Sequence, residues 1–229
     1  MSPAIRGISS MATRELLAEL AVAYRQRTGI AVHIESVAGV EAARRVQGGE
    51  AFDIVVLASD AIDKLAAGGT AVAGSKLDLA QSPVAVAVPA GVTPPDLGSE
   101  EALRRAVQAA ATIGYSTGPS GAALLRRFER WGLADELRPR LVQAPPGVPV
   151  GALLAEGKVA LGFQQLSELI HVKGVTIAGM LPPAVAIITT FSGAVCAGSS
   201  QAGAASRLLA FLASPDADAA KRRQGMEPA

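Results

Sequence analysis

The run Gly114-Tyr115-Ser116-Thr117-Gly118-Pro119-Ser120-Gly121 leads into Ala-Ala-Leu-Leu-Arg-Arg-Phe, ending at Phe128. It reads as a strand end, a turn dense in hydroxyls and glycines, and a helix. A helix start exposes unpaired N–H groups and a partial positive charge, so this junction is suited to an anion. Three more stretches of the same kind occur: Ser-Ser-Met-Ala-Thr-Arg at 9–14, Val-Ala-Gly-Val-Glu at 37–41 and Pro-Pro-Gly-Val-Pro-Val-Gly at 145–151. Ser, Thr and Gly are also ordinary helix caps. Four such loops together favour an anion site over four unrelated caps.

The chemistry is narrowed by what these loops lack. No Gly-Lys-Ser/Thr follows Gly121 and no GxGxxG follows the first strand, so nucleotide binding has no motif behind it. Gly118-Pro119-Ser120-Gly121 has the wrong spacing for a nucleophile elbow. Arg14 and Arg44 lie early in helices that begin at two of the loops; each either adds positive charge to an anion cradle or lies on a solvated face. Gln164 and Gln165 end a strand, where side chains alternate, so one of the two faces the ligand. An amide donates and accepts, which suits a protonated carboxyl or a carboxylate with a hydroxyl. Glu41, Glu168 and His171 are the candidate general bases if a proton is moved.

These residues need a scaffold with many strand-to-helix turns, and the chain supplies one. Ala4–Ser9 reads as a strand, followed by a helix over Met11–Gly29 with Leu16, Leu17, Leu20, Ala21 and Tyr24 at helical spacing. Strand and helix signals then alternate: Ile30–Val37, Gly39–Glu50, the buried-looking run Phe52–Ser59, and a helix from Asp60, which is expected to cap it. After a Pro/Gly-rich turn at 89–98, Ser99 starts another helix with a capping-box-like signal. Strands at 112–117, 159–165 and 175–180 alternate with helices at 120–132, 150–158 and 166–174, while 137–150 reads as extended chain running into a loop. Ala184–Gly198 is β-like, and a helical tail with a break near Pro215 closes the chain. No sequence repeat is visible. The expected fold is α/β with two lobes of mostly parallel sheet flanked by helices, joined by two crossing strands near 82–88 and 187–195. Residues 1–82 and 192–229 are expected to form one lobe, and 83–191 the other. Ligands of open α/β sheets bind outside the carboxyl ends of the strands, where the four loops fall.

Composition excludes several alternatives. Half of the 229 residues are hydrophobic, only 3% are aromatic and the formal net charge is +1. A nucleic-acid partner, which needs a basic footprint, is therefore not expected. The single cysteine, Cys196, sits in an apolar run and reads as a buried structural thiol. With one Cys and two distant His residues, no metal site and no cofactor are expected. There is neither an apolar stretch of about 7–15 residues near the start, as a secretory leader has, nor a run of about 18 that would span a membrane. As given, the chain is expected in the cytoplasm, or in the periplasm if a leader has been removed.

The order of features resembles the periplasmic molybdate-binding protein family, type II solute-binding proteins of ABC transporters. The resemblance covers nearly the whole chain and is carried by Gly-Glu-Ala-Phe-Asp-Ile-Val-Val-Leu-Ala-Ser-Asp at 49–60 together with Trp-Gly-Leu-Ala-Asp-Glu-Leu-Arg-Pro-Arg-Leu at 131–141. It implies the two-lobe type II fold, hinge closure on a buried anion, and a transporter permease as partner. It implies ligand contacts at Ser9, Ser10 and Met11; at Gly39 and Val40; at Tyr115, Thr117, Ser120 and Gly121; at Val148 and Val150; and at Gln164 and Gln165. Ser10 and Ser120 stand at two of the family's serine positions, and Gln165 where the family has a tyrosine. The Ala38-Gly39-Val40 turn has no hydroxyl, and Pro149 has no N–H to donate. A tetrahedral oxyanion needs a full ring of donors, so a small carboxylate is expected in preference to molybdate or tungstate. Some relatives resemble an aconitate isomerase, which keeps isomerisation of a tricarboxylate as the alternative.

Overall fold

The structure is a computed structural model and describes residues 3–229; the first two residues of the expected first lobe lie outside it. The chain forms two compact units, one of residues up to Gln81 together with Thr190–Ala229, the other of Ser82–Thr189.

The first unit begins with β1 (Ile5–Ser10), a short 3-10 turn at Met11–Thr13 and α1 (Arg14–Thr28). Gly29 ends α1 with φ of 75°, a left-handed value that favours glycine. Next come β2 (Val32–Val37), α2 (Gly39–Gln47), β3 (Ile54–Ala58) and α3 (Ser59–Ala67). β1 lies between β2 and β3, parallel to both. The first residues of β4 (Leu77–Pro89) belong to this unit, and the strand enters the second unit between Gln81 and Ser82. Asp60 is not the cap of α3: Ala58 occupies that place without a side-chain bond, and Asp60 sits in the first turn, where its charge still favours the helix dipole.

The second unit continues with α4 (Glu100–Ala109), β5 (Ile113–Tyr115), α5 (Pro119–Arg130), α6 (Ala134–Leu137), β6 (Leu141–Gln143), α7 (Val150–Ala155), β7 (Leu161–Gln165), α8 (Leu166–Leu169) and β8 (Val175–Met180). Ser99 caps α4 by accepting from the Ala102 N–H at 3.1 Å, as its position suggests. β5 lies between β6 and β7, parallel to both. β4 runs antiparallel to β7 on one side and to β8 on the other. The chain returns through β9 (Ile188–Val195), which is antiparallel to β3, and finishes with α9 (Ala202–Ala213), α10 (Asp218–Arg223) and β10 (Glu227–Pro228).

The units share one plan. In each, a first strand is flanked by two parallel partners and an antiparallel strand then closes the row: β2-β1-β3-β9 in one, β6-β5-β7-β4 in the other. No repeat is visible in the residues, yet the β1–α1 turn of the first unit has the same topological place as the β5–α5 turn of the second.

Each sheet is packed on both faces. In the first unit Ile5, Ile54 and Val56 meet Leu17, Leu20, Tyr24 and Leu209 on one side, and Ile8, Val55 and Leu57 meet Ala42, Val46 and Ile62 on the other. In the second, Val86, Ile113 and Phe163 meet Leu103, Leu124 and Phe128, while Ala85 and Ala87 meet Val150 and Leu154. Small strand residues let these helices approach. A Cβ on Gly162 would lie 2.6 Å from Leu154 Cδ1 and 2.9 Å from Val150 Cγ1. Cys196 is buried, and burial pushes its thiol up to about 12, with Asp53 adding to the effect, so it is a structural rather than a reactive cysteine.

Candidate functional site

In the first unit, Ser9 and Ser10 end β1, but their hydroxyls have different fates. Ser9 is fully buried; its Oγ lies 2.8 Å from Ser36 Oγ on the paired strand and donates to the Ser10 carbonyl at 3.2 Å. Thr13 donates to that same carbonyl at 3.1 Å, which fixes the 3-10 turn. Ser10 is 9% exposed, caps nothing with its side chain, and its buried Oγ has no partner. Met11 is half-buried beside it. The start of α2 is close: a Cβ on Gly39 would stand 3.6 Å from Ser10 Cβ. α2 begins at Gly39 with no side-chain cap, and the Val40 side chain is exposed, so only backbone N–H groups could serve a ligand there.

Asp53, in the family-like segment, is buried at the other end of the sheet. Its carboxylate accepts from the Arg6 N–H at 2.8 Å, Ser199 Oγ at 2.6 Å and Gln201 Nε2 at 3.3 Å, which ties β1 and the turn before α9 to β3.

In the second unit, α5 starts with Pro119, and Ser120 is 6% exposed in its first turn. The Ser120 Oγ pairs with Ser116 Oγ at 3.2 Å. Gly121 is required by close approach, since a Cβ there would lie 1.9 Å from the Ser116 carbonyl oxygen. Thr117 is exposed, and Tyr115 packs against the core around Phe128 and Phe163. Val150 is wholly buried in the core, and Val148 is largely exposed, its N–H donating to the Pro145 carbonyl at 3.0 Å.

The two glutamines divide as alternation requires. Gln164 is internally satisfied: its Oε1 accepts from the Gly151 N–H at 3.2 Å and its Nε2 donates to Glu168 Oε1 at 3.0 Å. It locks the start of α7 and uses one of that helix's free donors. Gln165 is 4% exposed; its Nε2 donates to Thr189 Oγ1 at 2.7 Å, and its buried Oε1 has no partner. Among the described residues, Ser10 Oγ and Gln165 Oε1 are the buried side-chain polar atoms without a hydrogen bond.

Of the candidate bases, Glu41 is engaged by Arg44 through two bonds of 2.8 and 2.6 Å, and that guanidinium holds its carboxyl below the usual carboxylate range. Arg44 is thereby committed to Glu41, and Arg14 to Glu15 at 2.8 Å. Glu168 is half-buried against Gln164, and His171 is exposed just past α8. Ser116 lies in the hydroxyl-rich loop that the sequence singles out but is not among the expected contacts, and Thr189 is missed altogether. Ser116 is signalled by its place three residues before α5 begins at Pro119; Thr189 has no local signal and is brought to Gln165 only by the fold.

The strand order, the antiparallel closing strand of each unit and the exchange of chain between units through β4 and β9 define the two-lobe type II periplasmic-binding-protein fold. Solved structures of that fold superpose closely. The periplasmic molybdate-binding protein of Azotobacter vinelandii aligns with TM-score 0.81 at 21% identity, covering 97% of this chain and 98% of that one. The sulfate-binding protein SubI of Mycobacterium tuberculosis H37Rv aligns with TM-score 0.80 at 17% identity, covering 99% and 87%. Residues 5–227 match the family model described as bacterial extracellular solute-binding protein, and the chain belongs to that family. A curated relative, an aconitate isomerase from Pseudomonas sp, is 35% identical over 227 residues, covering 96% of this chain and 86% of the relative. Among the described residues no helix is long and apolar enough to cross a membrane.

Proposed function

We propose that the protein binds a small organic carboxylate as its solute; the candidate contacts are the β1–α1 turn in the first unit and, in the second, the β5–α5 turn and the end of β7. The observation that carries this reading is the pair of buried, unpartnered side-chain atoms, Ser10 Oγ and Gln165 Oε1, at positions where ligand contact was expected. A buried polar group left without a partner costs about 1–3 kcal/mol, and a ligand group that supplies the missing partner recovers it. Gln165 in the place of a tyrosine, the Ala38-Gly39-Val40 turn without the family's serine and the N–H-less Pro149 leave fewer donors than a tetrahedral oxyanion requires, which favours the carboxylate over molybdate or tungstate. Ser120 and the uncapped start of α5 supply further donors.

A second reading is favoured by the 35% identical relative named as an aconitate isomerase: the chain isomerises a tricarboxylate. Glu168 or His171 would then move the proton, and helix N-termini would stabilise the developing charge. Glu41 is weakened as a base, because the Arg44 guanidinium holds its carboxyl ionised. As a binding protein the chain would work outside the cytoplasm and deliver its ligand to an ABC transporter permease.

A thermal-stability screen with citrate, propane-1,2,3-tricarboxylate, cis- and trans-aconitate, sulfate, molybdate and tungstate tests the binding reading. Stabilisation by a carboxylate supports it, and stabilisation by the metal oxyanions alone overturns it. Conversion of a stabilising acid, followed by NMR, decides for the isomerase.

A further inference from the structure

We infer that the open edge of β2 and the facing stripe of α1 form a docking groove for an extended, acidic segment of a partner protein, which adds to the sheet of the first unit as a further strand. β2 ends the row of strands: among the described residues it pairs with β1 and with no other strand. Its pairing runs unbroken from Val32 to Val37, and no proline or lysine blunts the edge. The Ile5 N–H is bonded to the Ala31 carbonyl at 2.9 Å. In a parallel ladder that phase turns the N–H and C=O groups of Val32, Ile34 and Ser36 outward, where another strand can pair with them.

A groove of about 550 Å³ lies along this edge, lined by α1 and β2. Val32 and Ile34 are half-buried against the core beneath α1. Beside them α1 presents Arg14, Ala18, Val22 and Arg25, whose spacing puts them on one stripe of the helix. Val22, in the middle, is 58% exposed. Arg25 is exposed and, among the described residues, makes no ion pair; Arg14 is exposed as well, with its guanidinium beside Glu15. Arg6 adds a third guanidinium to the lining. The carboxylate of the lining, Glu35, is already held by Arg45 through bonds of 2.6 and 2.9 Å, so the groove is left positive. Arg14 and Arg25 stand about 16 Å apart along the helix. Side chains on one face of a strand recur about every 7 Å. Carboxylates four positions apart therefore come within reach of both arginines, with the residue between them over Val22. A second copy pairing through the same edge would set arginine stripe against arginine stripe, which disfavours self-association.

The test titrates the isotope-labelled whole chain with a short blocked peptide of alternating threonine and valine that carries two glutamates four positions apart; a control peptide has lysine in their place. NMR is expected to show the amides of Val32, Ile34 and Ser36 shifting saturably and exchanging more slowly with the glutamate peptide, and the lysine peptide binding at least about tenfold more weakly. Arg25→Glu, at an exposed position, is expected to weaken the glutamate peptide at least about fivefold at low salt. Val32→Pro removes one outward N–H at the first residue of an edge strand, where proline is tolerated, and should weaken it by at least about fivefold. Melting temperatures show that each variant folds, and Arg25→Glu decides if Val32→Pro does not. Equal binding of the two peptides, shifts that miss β2, or unchanged affinity in either folded variant overturns the groove. A dimer that forms with rising concentration and protects the same amides without peptide assigns the edge to a second copy and overturns it as well. So does the absence of binding.

Discussion

Ser10 bears a hydroxyl that is buried and bonded to nothing in the protein, while its neighbour Ser9 is fully engaged with Ser36 and the Ser10 carbonyl. If Ser10 Oγ is held for a ligand, its removal has opposite effects on affinity and stability. Ser10→Ala is expected to weaken carboxylate binding roughly ten- to a hundredfold, the worth of a hydrogen bond to a charged group. The unliganded protein should be no less stable, since no internal bond is lost. Titration and urea unfolding of the same variant check the two halves, and a loss of stability of about 2 kcal/mol would mark Ser10 as structural. Cys196 gives a second residue-level expectation. Its thiol is held up at about 12 by burial, whereas an unfolded chain titrates near 9.0. The folded thiol is neutral, so stability from this group is full below pH 9 and declines above it as the unfolded thiol ionises. At neutral pH, labelling by a disulfide reagent is expected only as fast as the protein unfolds.

The elements that position the site follow from small residues and from pairings far apart in sequence. At the start of α5, Gly121 leaves no room for a Cβ, which would sit 1.9 Å from the Ser116 carbonyl oxygen. Gly121→Ala must displace the turn that carries Ser116 and Ser120, and it is expected to cost about 1–3 kcal/mol of stability and to lower ligand affinity together with it; an unchanged melting temperature would contradict that. At the seam of α1 and α10, Glu19 accepts from Arg223 Nε at 3.1 Å and Gln224 Nε2 at 2.8 Å, and these bonds, Arg223's first, hold its carboxyl below 4.5. A depressed acid stabilises the fold above the ordinary carboxylate range and loses that contribution as pH falls through its lowered value. Arg223 is exposed while Glu19 and Gln224 are half-buried, so Glu19→Gln should cost at most about 1 kcal/mol at pH 7, with the difference from wild type vanishing in acid.

Much of this frame could be read before the structure. The β3 run is apolar, helix stops such as Gly29 and the cap Ser99 are local signals, and Ser10 and Ser120 stand at helix starts. What could not be read depends on tertiary partners. β6 and β10 are too short to show a period, and they exist because β5 and the β4 backbone pair with them. Asp60 looked like a cap, but Ala58 takes that position as β3 runs straight into α3. Alternation puts the two glutamines on opposite faces of β7, yet only the Gly151 and Glu168 bonds show that Gln164 is the internally satisfied one.

At the scale of the whole molecule, each unit carries the same row of strands and the same kind of strand-to-helix turn, and among the described residues each offers one buried, unpartnered polar side-chain atom. Mass action links occupancy to stability: a ligand at 100 times its Kd adds about 2.7 kcal/mol to a protein that binds it only when folded. The central claim, a carboxylate in preference to a metal oxyanion, is tested most directly by equilibrium competition, with citrate and molybdate titrated calorimetrically into the same ligand-free preparation. The account predicts saturable citrate binding that molybdate displaces only in large excess. Tight molybdate binding that citrate fails to displace would contradict it.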